Sequence, residues 1–232
     1  MSNSSNTSGE GPLVYGSPVS SFTRKVLLAL EFKGIAHRCE MPDMELFTRL
    51  NPLAKMPILM TEGRTIIDSS VICDFIDRRY PEAPQLYPVD VFLRARALWL
   101  EEYIDTALQA SIYPLVNEVM FKPLRYGLPA DPKVAEESKQ PIADRLDYLE
   151  TELTGETFIE GGTGIVEITL YAVLANSMRC GFVIDPARLP RLARLVGQLL
   201  GSDLVVNHVA RYAAQIPQVP TVGSGAICWQ MR

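Results

Sequence analysis

Short apolar runs alternate with helical patterns over the first third of the chain, after which strand patterns nearly vanish. Leu13-Val14-Tyr15 is an apolar run that stops at the breaker cluster Gly16-Ser17-Pro18, which predicts a short strand. From Phe22 to Lys33 the residues Val26, Leu27, Leu28, Leu30 and Phe32 make a wide apolar face, closed by Gly34 as a helix stop. Ile35 to Cys39 reads as a second strand. Met44 to Leu50 reads as a short helix ended by Asn51-Pro52, because the residue before a proline is pushed out of helical geometry. Ile58 to Met60 and Thr65 to Ile67 are two strands joined across Glu62-Gly63, a hairpin signal. Ser69 to Arg79 then carries Val71, Ile72, Phe75 and Ile76 along one side of a helix. The order β-α-β-α-β-β-α predicts a right-handed parallel crossover followed by an antiparallel hairpin.

Proline and turn residues from Pro81 to Pro88 mark a linker, and helical periodicity dominates beyond it. Val91 to Met120 reads as one long amphipathic helix, which Pro114 should kink or interrupt by removing a donor and crowding the preceding turn. Pro123 to Pro132 reads as a loop, and Lys133 to Leu153 as a second long helix with a proline at Pro141. Ile165 to Cys180, Pro190 to Leu200 and Leu204 to Ala214 complete a helical bundle. The expected organisation is a disordered lead over 1–11, an α/β domain over 12–82, a linker over 83–90, an all-α domain over 91–215, and an irregular tail over 216–232 that Trp229 can anchor.

Composition narrows the function classes. With 47% hydrophobic and 21% charged residues in 232, the chain can bury an ordinary globular core. A net charge of -5 argues against a nucleic-acid partner, and Arg188, Arg191 and Arg194, at helical spacing, read as a solvated face. No run approaches the ~20 apolar residues of a membrane span, and the Ser/Asn/Gly-rich start lacks a signal pattern. Cys39, Cys73, Cys180 and Cys228 lie far apart, which reads as four reduced thiols in cytoplasm. With only His37 and His208, a histidine-built metal site or a serine-histidine triad has almost no material, and no metal is expected.

Three local patterns carry candidate chemistry. The turn from Gly16 to Arg24 leads a strand into a helix, whose unpaired N–H groups and partial positive charge stabilise anions. A serine hydroxyl there can donate to a thiolate, or can simply cap the helix; Ser17 and Ser21 flank Ser20 as alternatives. In Asn51-Pro52-Leu53-Ala54-Lys55-Met56-Pro57, a cis bond before Pro57 would turn the Met56 backbone outward to pair with an extended peptide; a plain turn is the other reading. Asp68-Ser69 opens a helix after a strand: Ser69 offers a hydroxyl and an N–H to a carboxylate, Asp68 can accept from an ammonium, and either can instead serve only as a cap.

Together, the serine turn, Asn-Pro-x-x-Lys-x-Pro and Asp-Ser-x-x-Ile resemble the cytosolic glutathione S-transferase family along its whole thioredoxin-like domain, with a serine turn similar to the tau and zeta classes. The resemblance implies a thioredoxin-like N-terminal domain and an all-helical C-terminal domain. It implies that Ser20 activates the thiol of glutathione, the co-substrate, for attack on a small apolar electrophile. It also implies that Met56 pairs through its backbone with the cysteinyl unit, that Lys55 lies near the glycyl carboxylate, and that Asp68 and Ser69 hold the γ-glutamyl end; Phe22 and Pro57 complete the glutathione-binding set. A homodimer is implied as well. Asp68 departs from the family's commoner glutamate, and Gly164-Ile165-Val166-Glu167 stands where a Ser/Thr-x-x-Asp capping box is usual. Tyr103, Tyr113, Met120, Phe121 and Tyr126 are the candidates for an apolar second-substrate pocket, with bundle core as the alternative for each. Conjugation, lyase, dehalogenase and isomerase chemistry share this pattern, and a non-catalytic ligand- or protein-binding module is the alternative from another class.

Overall fold

The computed structural model describes residues 11–217 and 219, so most of the expected lead and tail, with Cys228 and Trp229, lie outside the described residues. The chain divides into two compact units, one ending at Leu86 and the other beginning at Tyr87.

The first unit is a four-stranded mixed sheet of order β2-β1-β3-β4. Its strands are β1 (Leu13–Tyr15), β2 (Arg38–Glu40), β3 (Ile58–Thr61) and β4 (Arg64–Ile67). β1 runs parallel to β2 and antiparallel to β3, which forms the hairpin with β4. The crossover helix α1 (Ser21–Phe32) is buried from Thr23 to Leu30 and packs against α3 (Ser69–Arg79), while α2 (Met44–Leu50) buries only Phe47. This is the thioredoxin-like arrangement. Gly34, at φ 67°, closes α1, and the Ile35 N–H bonds to the Leu30 carbonyl at 2.8 Å. That closure consumes Ile35, which is why β2 begins at Arg38 rather than at Ile35 as the apolar pattern suggests.

Every regular element among the described residues of the second unit is helical. Helical backbone runs from Val91 to Tyr126 as α4 (Val91–Tyr103), α5 (Gln109–Val116) and α6 (Lys122–Tyr126), joined by wide π-type turns over Ile104–Leu108 and Asn117–Phe121. Of the two outcomes expected at Pro114, a kink or an interruption, the interruption does not occur: the proline sits within α5, and the helix widens on either side of it. Residues 123–126, expected as loop, extend the helix until Gly127, at φ 65°, ends it. The second long helix is instead two, α7 (Pro132–Glu137) and α8 (Lys139–Glu152). The break at Ser138 frees Pro141, now in the first turn of α8, from clashing with the carbonyl four residues earlier.

The remaining helices are α9 (Ile165–Arg179), α10 (Pro190–Gly201) and α11 (Asp203–Tyr212). α9 is buried without a break from Ile165 to Ser177 and packs against α4, α5 and α10, the behaviour of a helix apolar on nearly all sides. Gly164 has no side chain to cap it, so Glu167 does the work alone. Its two carboxylate oxygens accept the N–H groups of Gly164 at 2.9 Å and of Phe158 at 2.8 Å. Burial pushes the Glu167 carboxyl above its ordinary range, against the pull of those N–H groups. Glu167→Gln turns one acceptor into a donor facing an N–H, so it is expected to cost roughly 2–3 kcal/mol in urea unfolding.

Candidate functional site

Strand register gathers the three polar segments at one edge of the sheet. Tyr15, the last residue of β1, stands opposite Ile58, the first of β3, and Ile58 stands opposite Ile67, the last of β4. The turn carrying Ser20, the Met56-Pro57 segment and the Asp68-Ser69 helix start therefore all leave the sheet at the same end. Cross-links tie them together. The Ser17 N–H lies 3.4 Å from Met56 Sδ, and buried Lys25 of α1 donates to Ser70 Oγ at 2.9 Å.

Ser20 is the N-cap of α1, its hydroxyl oxygen accepting the Thr23 N–H at 3.4 Å. This capping bond uses an oxygen lone pair and leaves the hydroxyl proton available to an anion. Ser21 is buried in the helix, and Ser17 Oγ accepts from the Val19 N–H at 3.3 Å. Phe22 lies half-buried in the first turn of α1.

The Met56–Pro57 peptide is cis. Among the described residues no partner engages the Met56 backbone N–H or carbonyl, so both are open to an extended ligand. Asn51 holds this loop from within, donating to the Lys55 carbonyl at 2.7 Å and accepting the Leu53 N–H at 2.9 Å. Lys55 is exposed and Pro57 buried.

Asp68 adopts φ 78° and ψ 133°, a backbone region that costs a non-glycine residue on the order of 1–3 kcal/mol. Its Oδ1 caps α3 by accepting the N–H groups of Ser70 at 3.0 Å and Val71 at 3.2 Å, and the carboxylate remains solvent-exposed. Ser69, the first residue of α3, is buried. Asp68→Asn preserves the cap and tolerates positive φ, but loses the charge. It is expected to keep the wild-type melting temperature.

The five aromatic and methionine candidates do not gather within the helical unit. Met120 is fully buried in the core. Tyr103 donates to the Arg145 carbonyl at 3.1 Å and packs on Tyr148 with ring centroids 4.6 Å apart. Phe121 lies under the Arg125 guanidinium at 4.5 Å, while Tyr113 and Tyr126 are exposed. A groove of about 490 Å³ does open on this unit, floored by Ala107, Ala110 and Pro114 and walled by Val134 and Pro141, and none of the five lines it.

Cys39, in β2, donates its thiol to the Gly16 carbonyl at 3.4 Å. Burial, with Glu40 and Glu31 adding to it, pushes this thiol up to about 11, so it is held protonated beside the serine turn. Among the described residues no group of His, Cys, Asp and Glu is placed to hold a metal ion, and no helix is long and apolar enough to cross a membrane. Sequence reasoning missed the buried run Thr23, Arg24 and Lys25. The only available signal was three polar residues in a row just before the apolar stretch of the helix.

Sheet order, the cis proline and two capped helix starts at one edge define a thioredoxin-like domain with a single polar margin. Residues 14–84 match the family model described as glutathione S-transferase, N-terminal domain. The chain is 32% identical over 202 residues to glutathione S-transferase U6 of Arabidopsis thaliana, covering 82% of this chain and 85% of that protein. Identity to glutathione S-transferase U7 of the same plant is 29% over 197 residues, covering 80% and 81% respectively. A rice glutathione S-transferase solved in complex with glutathione aligns with a TM-score of 0.71 at 26% identity, over 87% of this chain and 91% of that one. The chain belongs to the glutathione S-transferase family.

Proposed function

We propose that the chain is a glutathione-dependent transferase in which Ser20 activates the glutathione thiol for attack on a small apolar electrophile. The observation that carries this reading is the convergence at one sheet edge of a capped helix start with a free hydroxyl proton, an open Met56 backbone, and the Asp68-Ser69 pair. Each open group has a counterpart on the tripeptide. The Met56 N–H and carbonyl pair with the cysteinyl unit as a strand would. Asp68 accepts from the γ-glutamyl ammonium, the Ser69 N–H and hydroxyl donate to its carboxylate, and exposed Lys55 faces the glycyl carboxylate. Phe22 and buried Pro57 shape the edge between these groups.

With the tripeptide held in this way its sulfur lies over the N-terminus of α1. The Ser20 hydroxyl donates to the developing thiolate, the helix dipole favours the anion, and the thiol proton passes to solvent. The sulfur lone pair then forms the new bond to the electrophilic carbon as its leaving group departs, or adds across an activated double bond. For the second substrate, the exposure of Tyr113 and Tyr126 and the partial exposure of Phe121 favour these over Tyr103 and Met120, which are already engaged.

The domains we assign to these tasks are 12–82 for glutathione and 91–215 for the electrophile. Family membership supports assembly as a homodimer and a role in clearing reactive apolar compounds. Cys39, Cys73 and Cys180, none of them in a disulfide, support a reducing compartment, the cytoplasm. Calorimetric titration with glutathione tests the reading directly: binding accompanied by proton release near neutral pH is expected, and absence of binding would sink it in favour of a non-catalytic module.

A further inference from the structure

Gly16 and Thr23 interlock at the base of the turn that carries Ser20. Gly16 is the first residue after β1, and Thr23 is the third of α1. A Cβ built on Gly16 would stand 2.5 Å from Thr23 Oγ1, 2.9 Å from its Cγ2 and 3.3 Å from its Cβ, the first two closer than the 3.0 Å that real Cβ atoms respect. Gly34, Gly63 and Gly127, by contrast, have open space where a Cβ would go. Gly16 is therefore bare because the Thr23 side chain occupies the place.

Thr23 is 0% exposed, and its hydroxyl has no hydrogen-bond partner among the described residues. No polar bond holds that side chain in place, so it acts there by shape, and its β-branch gives it few rotamers in a helix. The same residue's backbone N–H donates to Ser20 Oγ at 3.4 Å, and the Ser20 N–H donates in turn to the Ser17 carbonyl at 2.9 Å. Wedge and cap thus belong to one residue.

We propose that Thr23 is a positioning residue for Ser20: its side chain, seated on the bare Cα of Gly16, sets how closely the first turn of α1 approaches the end of β1. That spacing holds the Ser20 oxygen on the Thr23 N–H and aims its hydroxyl proton outward. The inference rests on the role given to Ser20 above. It deepens that role by assigning the geometry of the active hydroxyl to a packing contact rather than to a polar network.

Four variants test it: Gly16→Ala, Thr23→Ala, the two combined, and the conservative Thr23→Val. Each is read by its glutathione Kd, by the ionisation of the bound thiol in ultraviolet absorbance, and by kcat and KM with an activated chloronitrobenzene. Gly16→Ala and Thr23→Ala are each expected to shift bound-thiol ionisation roughly one pH unit alkaline and to lower kcat about tenfold at neutral pH, with KM for glutathione changed less than about twofold. The double variant, in which the added methyl fills the vacated space, is expected to recover most of that loss, and Thr23→Val to behave as wild type. The proposal is overturned if both single variants ionise glutathione as wild type does, or if the double variant is no better than the worse single one. Loss of ionisation in Thr23→Val with binding intact overturns it differently, by giving the hydroxyl a chemical role. Should Gly16→Ala fail to fold, the contrast between Thr23→Ala and Thr23→Val decides alone. Failure of wild type to ionise bound glutathione would strike the role of Ser20 itself, which no outcome among the variants can mimic.

Discussion

Asp77→Ala is expected to destabilise the protein by about 3–5 kcal/mol, the cost of leaving a buried charge without its partner. Lys33 ends α1 with its side chain fully buried, and its ammonium bonds to Asp77 Oδ1 at 2.9 Å and to the Pro84 carbonyl at 2.8 Å. The same Oδ1 accepts the Leu86 N–H at 2.7 Å. One carboxylate oxygen therefore joins the end of α1, the last turns of α3 and the chain that follows. Removing it strands an ammonium on a single carbonyl and orphans a backbone donor. Combining Lys33→Met with Asp77→Leu removes both charges while keeping apolar volume, and is expected to recover much of the loss. Urea unfolding at two salt concentrations checks the mechanism, because a buried pair resists screening whereas the exposed pair Arg79–Glu62 does not. A loss under about 1 kcal/mol for Asp77→Ala would show that apolar packing alone closes this unit.

Where local chemistry sets an element's ends, the sequence was a good guide. Asp68-Ser69 and Asn51-Pro52 carry their own cap and stop, and the helices they bound form at Ser69–Arg79 and Met44–Leu50 as the pattern predicts. Strand ends were less legible, because pairing decides them. Thr61 and Arg64 join the hairpin by facing each other, although neither belongs to an apolar run. Prolines were legible as perturbations but not in their outcome. Pro114 is flanked by wide turns within a continuous helix, whereas at Pro141 the break falls three residues earlier, at Ser138.

In the candidate site, the residues with motif spacing were visible and those acting through packing were not. Ser20, Met56, Pro57, Asp68 and Ser69 could be picked out, because turn and cap chemistry restricts what can stand there. Thr23 and Lys25 could not, since a polar residue in the first turn of a helix ordinarily signals solvent, and both are fully buried here. The aromatic candidates show the same limit from the other side. Periodicity located Tyr103 and Met120 on the long helix and left pocket and core both open for each; the structure places Met120 in the core and packs Tyr103 on Tyr148.

Ser20→Ala separates the two duties of the serine. As a cap, its loss costs the fold about 1 kcal/mol, visible as a small drop in unfolding midpoint. As a donor to the thiolate, its loss removes one preorganised hydrogen bond from the reacting anion, which is expected to lower turnover roughly 30-fold near neutral pH through the thiolate fraction lost. Glutathione affinity should change little, because Met56, Lys55, Asp68 and Ser69 remain. The sign of the pH dependence follows from the thiol. The wild type is expected to hold bound glutathione ionised near neutrality, so that its rate levels off there; in the variant the thiol is expected to ionise closer to a free thiol's range, near pH ~8.5, and the rate to keep rising into alkaline solution. The two profiles should diverge about tenfold for each pH unit below the variant's inflection and approach each other above it. A variant profile lowered by the same factor at every pH would mean that Ser20 orients the sulfur without ionising it. An unchanged rate would return Ser20 to a cap alone and move the active donor to another group on the same turn, with Ser17 the first to be replaced.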